Sequence, residues 1–116
     1  MKHLKNNRKF GRPASQRKAL KKGVISSLFL YGKIETTLAK AKEFAPEAEK
    51  IITKAKNNSL HSRRILLKLL NPNIVDKLIH EIAPNYKNRN GGYTRIIKLG
   101  ARKSDSAKMA LLELVK

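Results

Sequence analysis

Residues 93–115, which read YTRIIKLGARKSDSAKMALLELV, decide the fold class because they hold the two strand patterns that close the chain. Residues 93–99 are rich in β-branched and aromatic side chains, and residues 108–115 form a second apolar run. The basic turn between them, residues 100–106, is short, so we expect the two strands to form an antiparallel hairpin. Leu112 and Leu114 flank Glu113, which predicts that one face of the last strand is wetter than the other.

At the other end of the chain, apolar residues at helical spacing predict a first helix over residues 15–31. Ser15 is a good N-cap and Gly32 a typical C-terminal stop. The expected apolar stripe of this helix is Leu20, Val24, Leu28 and Tyr31. Residues 33–37 then alternate enough to predict a short strand.

A second helix is predicted for residues 37–57, with Thr37 as its cap and mostly small residues on its apolar side. That stripe consists of Leu38, Ala41, Ala45, Ala48, Ile52 and Ala55, and its alanines predict close approach to a neighbouring element. Pro46 lies inside this pattern, where it removes a hydrogen bond. We therefore expect a kink at Pro46, or two shorter helices that meet there.

Two more helices are predicted before the hairpin. The third covers residues 60–70, and Asn71-Pro72-Asn73 breaks it. The fourth is capped by Asn73, carries a clean amphipathic pattern and ends at Pro84. The sequence thus predicts an α+β fold in which about four helices pack on a small mixed sheet that ends in an antiparallel hairpin. Residues 15–116 are expected to form one domain.

The charge of the chain points to a polyanionic partner. Its 116 residues contain 27 Lys and Arg against 8 Asp and Glu, a formal net charge of +19. Nucleic acid has the densest charge of the available partners and favours cationic ligands through counterion release. The chain has no cysteine and no apolar run long enough to cross a membrane, so neither a disulfide framework nor membrane insertion is expected.

The N-terminal segment carries the strongest charge bias. Ten basic residues precede the first acidic residue, Glu35, and residues 1–14 have almost no apolar content. We expect residues 1–14 to form a basic extended arm that is disordered in the free protein and ordered on RNA. The same composition also fits a transit peptide.

A second acid-free stretch, residues 82–104, interleaves basic residues with tyrosines, which suits contact with phosphates and unpaired bases. Tyr93 is either a base-stacking residue or a core residue of its strand, and the pair Arg63-Arg64 is either a phosphate clamp or solvated surface. The four cations of the first helix are expected on the side away from its apolar stripe. The predicted RNA-binding residues are Lys2, Lys5, Arg8, Lys9, Arg12, Arg17, Lys18, Lys21, Lys22, Arg63, Arg64, Arg89, Tyr93, Arg95, Arg102 and Lys103.

Catalytic chemistry finds no support in the sequence. His3, His61 and His80 are far apart and have no metal-ligand spacing, and no nucleotide-binding or nucleophile motif is present. We expect no catalytic residue, no metal, no cofactor and no small-molecule substrate.

Several strings resemble the bacterial-type large-subunit ribosomal protein seventeen family. They are Lys2-His3 with Arg8-Lys9-Phe10 and residues 16–20, the junction at 34–43, residues 51–56, and the stretch 91–100 followed by Asp105, Ala107, Met109 and Ala110. The resemblance covers essentially the whole chain, with departures at Gln16, where the family favours histidine, and at Pro46. It implies helices packed on a small sheet, binding to large-subunit ribosomal RNA near the nascent-chain tunnel exit, and neighbouring large-subunit proteins as partners. It further implies a cytoplasmic location in the ribosome, with an organellar ribosome left open.

Two other classes share the charge. A nucleoid-type DNA-binding protein would usually show dimer symmetry or an apolar wedge on a β-arm, and no such arm tip is evident. A cationic membrane-surface helix would be basic opposite a broad apolar face, which the first helix partly satisfies. Sedimentation with ribosomal particles separates these classes from a ribosomal protein.

Overall fold

The chain forms helices packed on one face of a three-stranded sheet. The computed structural model describes residue 11 and residues 13–115. The elements are α1 (Ala14–Tyr31), β1 (Lys33–Thr37), α2 (Leu38–Asn57), α3 (Leu60–Leu69), α4 (Pro72–Lys77), a π-helical segment (Leu78–Ile82), α5 (Ala83–Asn85), β2 (Thr94–Ala101) and β3 (Lys108–Leu114). The predicted α+β class is confirmed, with α4, the π-helical segment and α5 forming the fourth helical run without a break. The predicted arm, residues 1–14, lies almost entirely outside the described residues.

Helix α2 is the central element, and it contacts helices on one side and the sheet on the other. Its predicted stripe is confirmed, since Ala41, Ala45, Ala48, Ile52 and Ala55 are all buried. The Thr37 hydroxyl accepts a hydrogen bond from the Lys40 N–H at 3.3 Å, which confirms the predicted cap.

Pro46 does not divide α2 into two helices, which was one of the two expected outcomes. Proline leaves the carbonyl four residues earlier without its helical partner. Here that carbonyl belongs to Lys42, and both Pro46 and Lys42 are exposed. Water can satisfy the freed group on this side, so the helix continues.

The packed face of helix α1 overlaps the predicted stripe only in part, since Leu28 is buried as predicted and Tyr31 is not. Its buried residues are Ile25, Leu28 and Phe29, whereas Tyr31 of the predicted stripe is 71% exposed. Leu20 and Val24 are only partly buried against the edge of the core. The N-cap is Pro13 and not Ser15, because the Pro13 carbonyl accepts the first helical hydrogen bond, from the Arg17 N–H at 2.9 Å.

The predicted limits of the fourth helix were wrong at both ends. The helical run starts at Pro72, with Asn71 and not Asn73 at the N-cap. Pro84 does not end the run, because the chain widens into a π-helical segment before it. The Ala83 N–H bonds back to the Leu78 carbonyl five residues earlier, and helical structure continues to Asn85.

The sheet has the order β1-β3-β2, with both pairings antiparallel. The predicted hairpin of β2 and β3 is confirmed, but the predicted mixed sheet is wrong. Ile34, Leu112 and Ile96 lie side by side across the three strands and face the helices. The three helical runs between β1 and β2 do not by themselves set the direction of β1. In the observed antiparallel register Ile34 lies beside Leu112, on the face of the sheet that packs against the helices.

Candidate nucleic-acid interface

Five of the predicted RNA-binding residues, Lys2, Lys5, Arg8, Lys9 and Arg12, lie outside the described residues. The remaining eleven fall into groups on α1, on α3, in the loop before β2, and on the β2–β3 hairpin. Among the described residues, no hydrogen bond or ion pair joins any one of these groups to another. The structure therefore places these residues on four different parts of the fold.

The basic residues of α1 continue the face that is buried further along the helix. Successive residues of an α-helix are about 100° apart, which places Arg17 and Lys21 in one row with the buried Ile25 and Phe29. Lys18 and Lys22 lie beside this row. The prediction that these cations lie away from the packed side was therefore wrong, because it rested on the stripe through Leu20 and Tyr31.

These four residues remain available to a partner despite that orientation. Lys18 and Lys22 are exposed, and Arg17 and Lys21 are only partly buried, so the first two turns of α1 extend past the apolar core. We call Arg17, Lys18, Lys21 and Lys22 the α1 basic face. Among the described residues, none of the four forms an ion pair. A helix without acidic residues in these turns offers its full charge to phosphate.

Tyr93 is a core residue, and the prediction that it stacks on an unpaired base is not supported. Its side chain is 2% exposed, and its ring centroid lies 5.0 Å from that of the buried Tyr86. Its hydroxyl donates to the Arg89 carbonyl at 3.0 Å and accepts from the Lys56 ammonium at 2.9 Å. The hydrogen bond from Lys56 lowers the pKa of the Tyr93 hydroxyl.

Glu49 fixes the start of β2, and the sequence analysis missed this role. Its carboxylate accepts the backbone N–H of Tyr93 at 2.7 Å and that of Thr94 at 3.3 Å. The preceding Gly91 and Gly92 have φ values of 129° and 63°, which side chains rarely adopt, so the turn requires glycine there. In the sequence, Glu49 and Lys56 are related only by their spacing of seven residues, which places both on one face of α2. This spacing does not indicate which loop they contact.

The loop held by these contacts presents cations to solvent. We call residues 86–92 the tyrosine loop. Lys56 also donates to the Arg89 carbonyl, so the backbone of this loop is tied to α2, while the Lys87 and Arg89 side chains are exposed. The Arg89 guanidinium contacts the Gly91 carbonyl at 3.3 Å and no carboxylate among the described residues. A rigid backbone with exposed basic side chains suits contact with a sugar-phosphate chain.

Other predicted arginines are partly neutralised by carboxylates. Arg63 and Asp76 form an ion pair at 2.6 Å that links α3 to α4, whereas Arg64 is exposed and has no such partner among the described residues. Arg95 pairs with Glu113 at 3.3 Å on the outer face of the sheet. These arginines therefore contribute less to the outward field than an unpaired cation does.

Arg102 is engaged in the hairpin turn, while its neighbour Lys103 is exposed. The Arg102 guanidinium bonds both oxygens of Asp105, at 3.0 and 2.7 Å. This hydrogen bonding, together with the Ala107 N–H, lowers the pKa of Asp105 to about 2. The pair links two residues of the turn, and Lys103 is exposed without a carboxylate partner among the described residues.

The acidic residues offset individual arginines but are too few, 8 against 27 basic residues, to balance the charge of the surface. All eight lie between residues 35 and 113. Glu49, Asp76, Asp105 and Glu113 each bind a backbone N–H group or an arginine of the chain itself.

Residue 11 and residues 13–115 contain no group of three metal-binding side chains, and no helix among them is long and apolar enough to cross a membrane.

Comparisons with known proteins give a consistent result. The family model described as Ribosomal protein L17 matches residues 20–115. The chain is 52% identical over 116 residues to "Large ribosomal subunit protein bL17" of Dictyoglomus thermophilum, which covers 99% of this chain and 100% of that protein. The protein of the same name from Thermodesulfovibrio yellowstonii is 51% identical, over 99% of this chain and 87% of its own. The one from Clostridium acetobutylicum is 50% identical, over 93% and 96%.

Proposed function

This chain belongs to the ribosomal protein L17 family, and from that premise we propose that it is a structural constituent of the large ribosomal subunit that binds ribosomal RNA. Its place is near the exit of the nascent-chain tunnel, among other large-subunit proteins, in the cytoplasmic ribosome. Its role is to hold RNA in position, without a catalytic activity of its own. The family match covers most of the chain, and the match to the first relative covers both chains almost completely.

The distribution of unpaired cations carries the RNA-binding part of the proposal. The α1 basic face and the tyrosine loop present Arg and Lys side chains to solvent, and none of these side chains pairs with a carboxylate among the described residues. A cationic surface of this kind gains affinity from the release of counterions condensed on a nucleic acid. Its selectivity for ribosomal RNA would come from shape and from unpaired bases.

Sedimentation tests the ribosomal assignment. A tagged copy of the chain, expressed in a bacterial host, should sediment with large subunits. A nucleoid-type protein would instead follow the DNA and leave the particle fraction after nuclease that cuts only DNA. Recovery of the chain with DNA, and not with large subunits, would overturn the proposal.

The salt dependence of binding tests the electrostatic part separately. If six to ten phosphates are neutralised, affinity for ribosomal RNA should fall about 10³- to 10⁵-fold between about 50 and 200 mM salt, by the estimate for duplex DNA. A nearly flat response would mean that charge does not determine binding. DNA of the same length serves as the competitor, because the family assignment requires a preference for RNA.

A further inference from the structure

A cleft of about 710 Å³ opens between the end of α1, the α5 turn and the last residues of β3. Its floor includes Ile82 and Tyr86, which are both buried. The Tyr86 hydroxyl donates to the Val115 carbonyl, and burial raises the pKa of this hydroxyl, so it stays a neutral donor. At these two residues the floor is therefore apolar, and its polar atom, the Tyr86 hydroxyl, already has a hydrogen-bond partner.

Tyr31 stands at the rim of this cleft and is 71% exposed. It ends a helix whose Leu28 and Phe29 are fully buried, and Gly32 then turns the chain away in the left-handed conformation. An exposed phenol ring beside an apolar floor is a surface on which a flat heterocycle can stack. The structure gives Tyr31 no ring contact with another aromatic residue among those described.

Three polar residues line the cleft together with Tyr31. Lys33 and Asn85 are exposed, and one carboxylate oxygen of Glu113 forms a long, 3.3 Å ion pair with Arg95. The Glu113 carboxylate keeps free lone pairs and accepts from amino groups, whereas it repels phosphate. Base edges that carry an amino group, as in guanine, cytosine and adenine, match a carboxylate beside an amide.

A second cleft of about 380 Å³ adjoins the first, because both are lined by Asn85 and Tyr86. Lys87 and Arg89 of the tyrosine loop line this second cleft. A base in the first cleft therefore leaves its neighbouring phosphates next to two exposed cations. This order, with base-edge acceptors followed by cations, favours a nucleotide strand over a peptide.

We propose that the cleft beside Tyr31 holds one unpaired, amino-bearing base of the bound RNA. The base stacks on the Tyr31 ring, Asn85 and Glu113 contact its edge, and Lys33, Lys87 and Arg89 contact adjoining phosphates. This inference rests on the proposed function, since it requires that the chain bind RNA. It adds a site where the RNA is recognised by an extruded base, in contrast to the phosphate contacts of the α1 basic face.

The test compares Tyr31→Ala and Tyr31→Phe in the full chain, with Leu99→Ala as the control at another exposed apolar position. Affinity for large-subunit ribosomal RNA is measured at one fixed salt concentration, after circular dichroism has shown that each variant is folded. Loss of one base–aromatic stack should weaken binding by Tyr31→Ala about 5- to 150-fold. Tyr31→Phe, which keeps the ring, and Leu99→Ala should bind like the parent.

Ultraviolet crosslinking in native large subunits provides the second readout, and a nucleotide attached to the peptide that contains Tyr31 is expected. The inference is overturned if Tyr31→Ala binds like the parent, if Tyr31→Phe is as weak as Tyr31→Ala, or if Tyr31 crosslinks to a protein. In each of these cases the salt-dependent binding of the parent persists, so the proposed function stands. If the parent itself fails to prefer ribosomal RNA, the proposed function and this inference fail together.

Discussion

Replacing Glu49 by alanine should loosen the start of β2 and the tyrosine loop at the same time. The Glu49 carboxylate accepts two backbone N–H groups, at 2.7 Å from Tyr93 and 3.3 Å from Thr94. Because Tyr93 is buried, its N–H would lose its partner without full access to water. Hydrogen bonds to a charged group are worth about 1.5–3 kcal/mol, and we expect Glu49→Ala to lower the free energy of unfolding by about that amount.

Urea denaturation followed by circular dichroism measures this loss. With a slope of about 1–3 kcal/mol per molar urea, the midpoint should fall by roughly 1 M. Glu47→Ala is the matched control, because Glu47 is a partly buried glutamate on the same helix. Glu49→Gln keeps an acceptor oxygen and should lie between the parent and Glu49→Ala. Equal midpoints for Glu49→Ala and Glu47→Ala would refute the reasoning.

Three further predictions follow from the described contacts. Changing Arg17, Lys18, Lys21 and Lys22 together to Gln should leave the fold intact and reduce the slope of log affinity against log salt by about 3, and an unchanged slope would remove α1 from the interface. Leu28→Ala, at a fully buried position, should cost about 2–5 kcal/mol in urea denaturation, whereas Tyr31→Ala should change stability by less than about 0.5 kcal/mol. The pKa of Asp105 is lowered from 3.8 to about 2 in the folded state, so its contribution to stability should be present above pH 4 and lost as pH falls toward 2. An NMR titration of the carboxyl checks this pKa, and Asp105→Asn should lose less stability than the parent over the same pH range.

The apolar periodicity of the sequence predicted most of the fold. The stripe of α2, the strand at 33–37 and the final hairpin were confirmed because each has a regular pattern that agrees with its burial. The packed face of α1 was predicted only in part: Leu28 is buried as expected, but Tyr31 is exposed. Ile25 and Phe29, each one residue after a member of the expected stripe, are buried as well. The direction of β1 depends on tertiary packing, which no local pattern contains.

The contacts of the candidate interface residues were harder to predict than the fold. Charge runs in the sequence indicated the cations, but they carry no information on which carboxylate each arginine meets, as for Arg63 with Asp76, 13 residues away. Tyr93 fits both a strand pattern and a stacking role, and only its contacts with Lys56 and Tyr86 decide between them. The functions of Glu49 and Lys56 depend on residues more than 30 positions distant.

The most direct test of the central claim is the protection of individual lysines when the chain enters the large subunit. Each lysine is labelled with an amine-reactive reagent in the free chain and in native subunits, and the modified peptides are quantified by mass spectrometry. If the α1 basic face and the tyrosine loop bind ribosomal RNA, Lys18, Lys22 and Lys87, all exposed in the free chain, should be strongly protected in the subunit. Equal labelling of these three lysines in the two states would contradict the account.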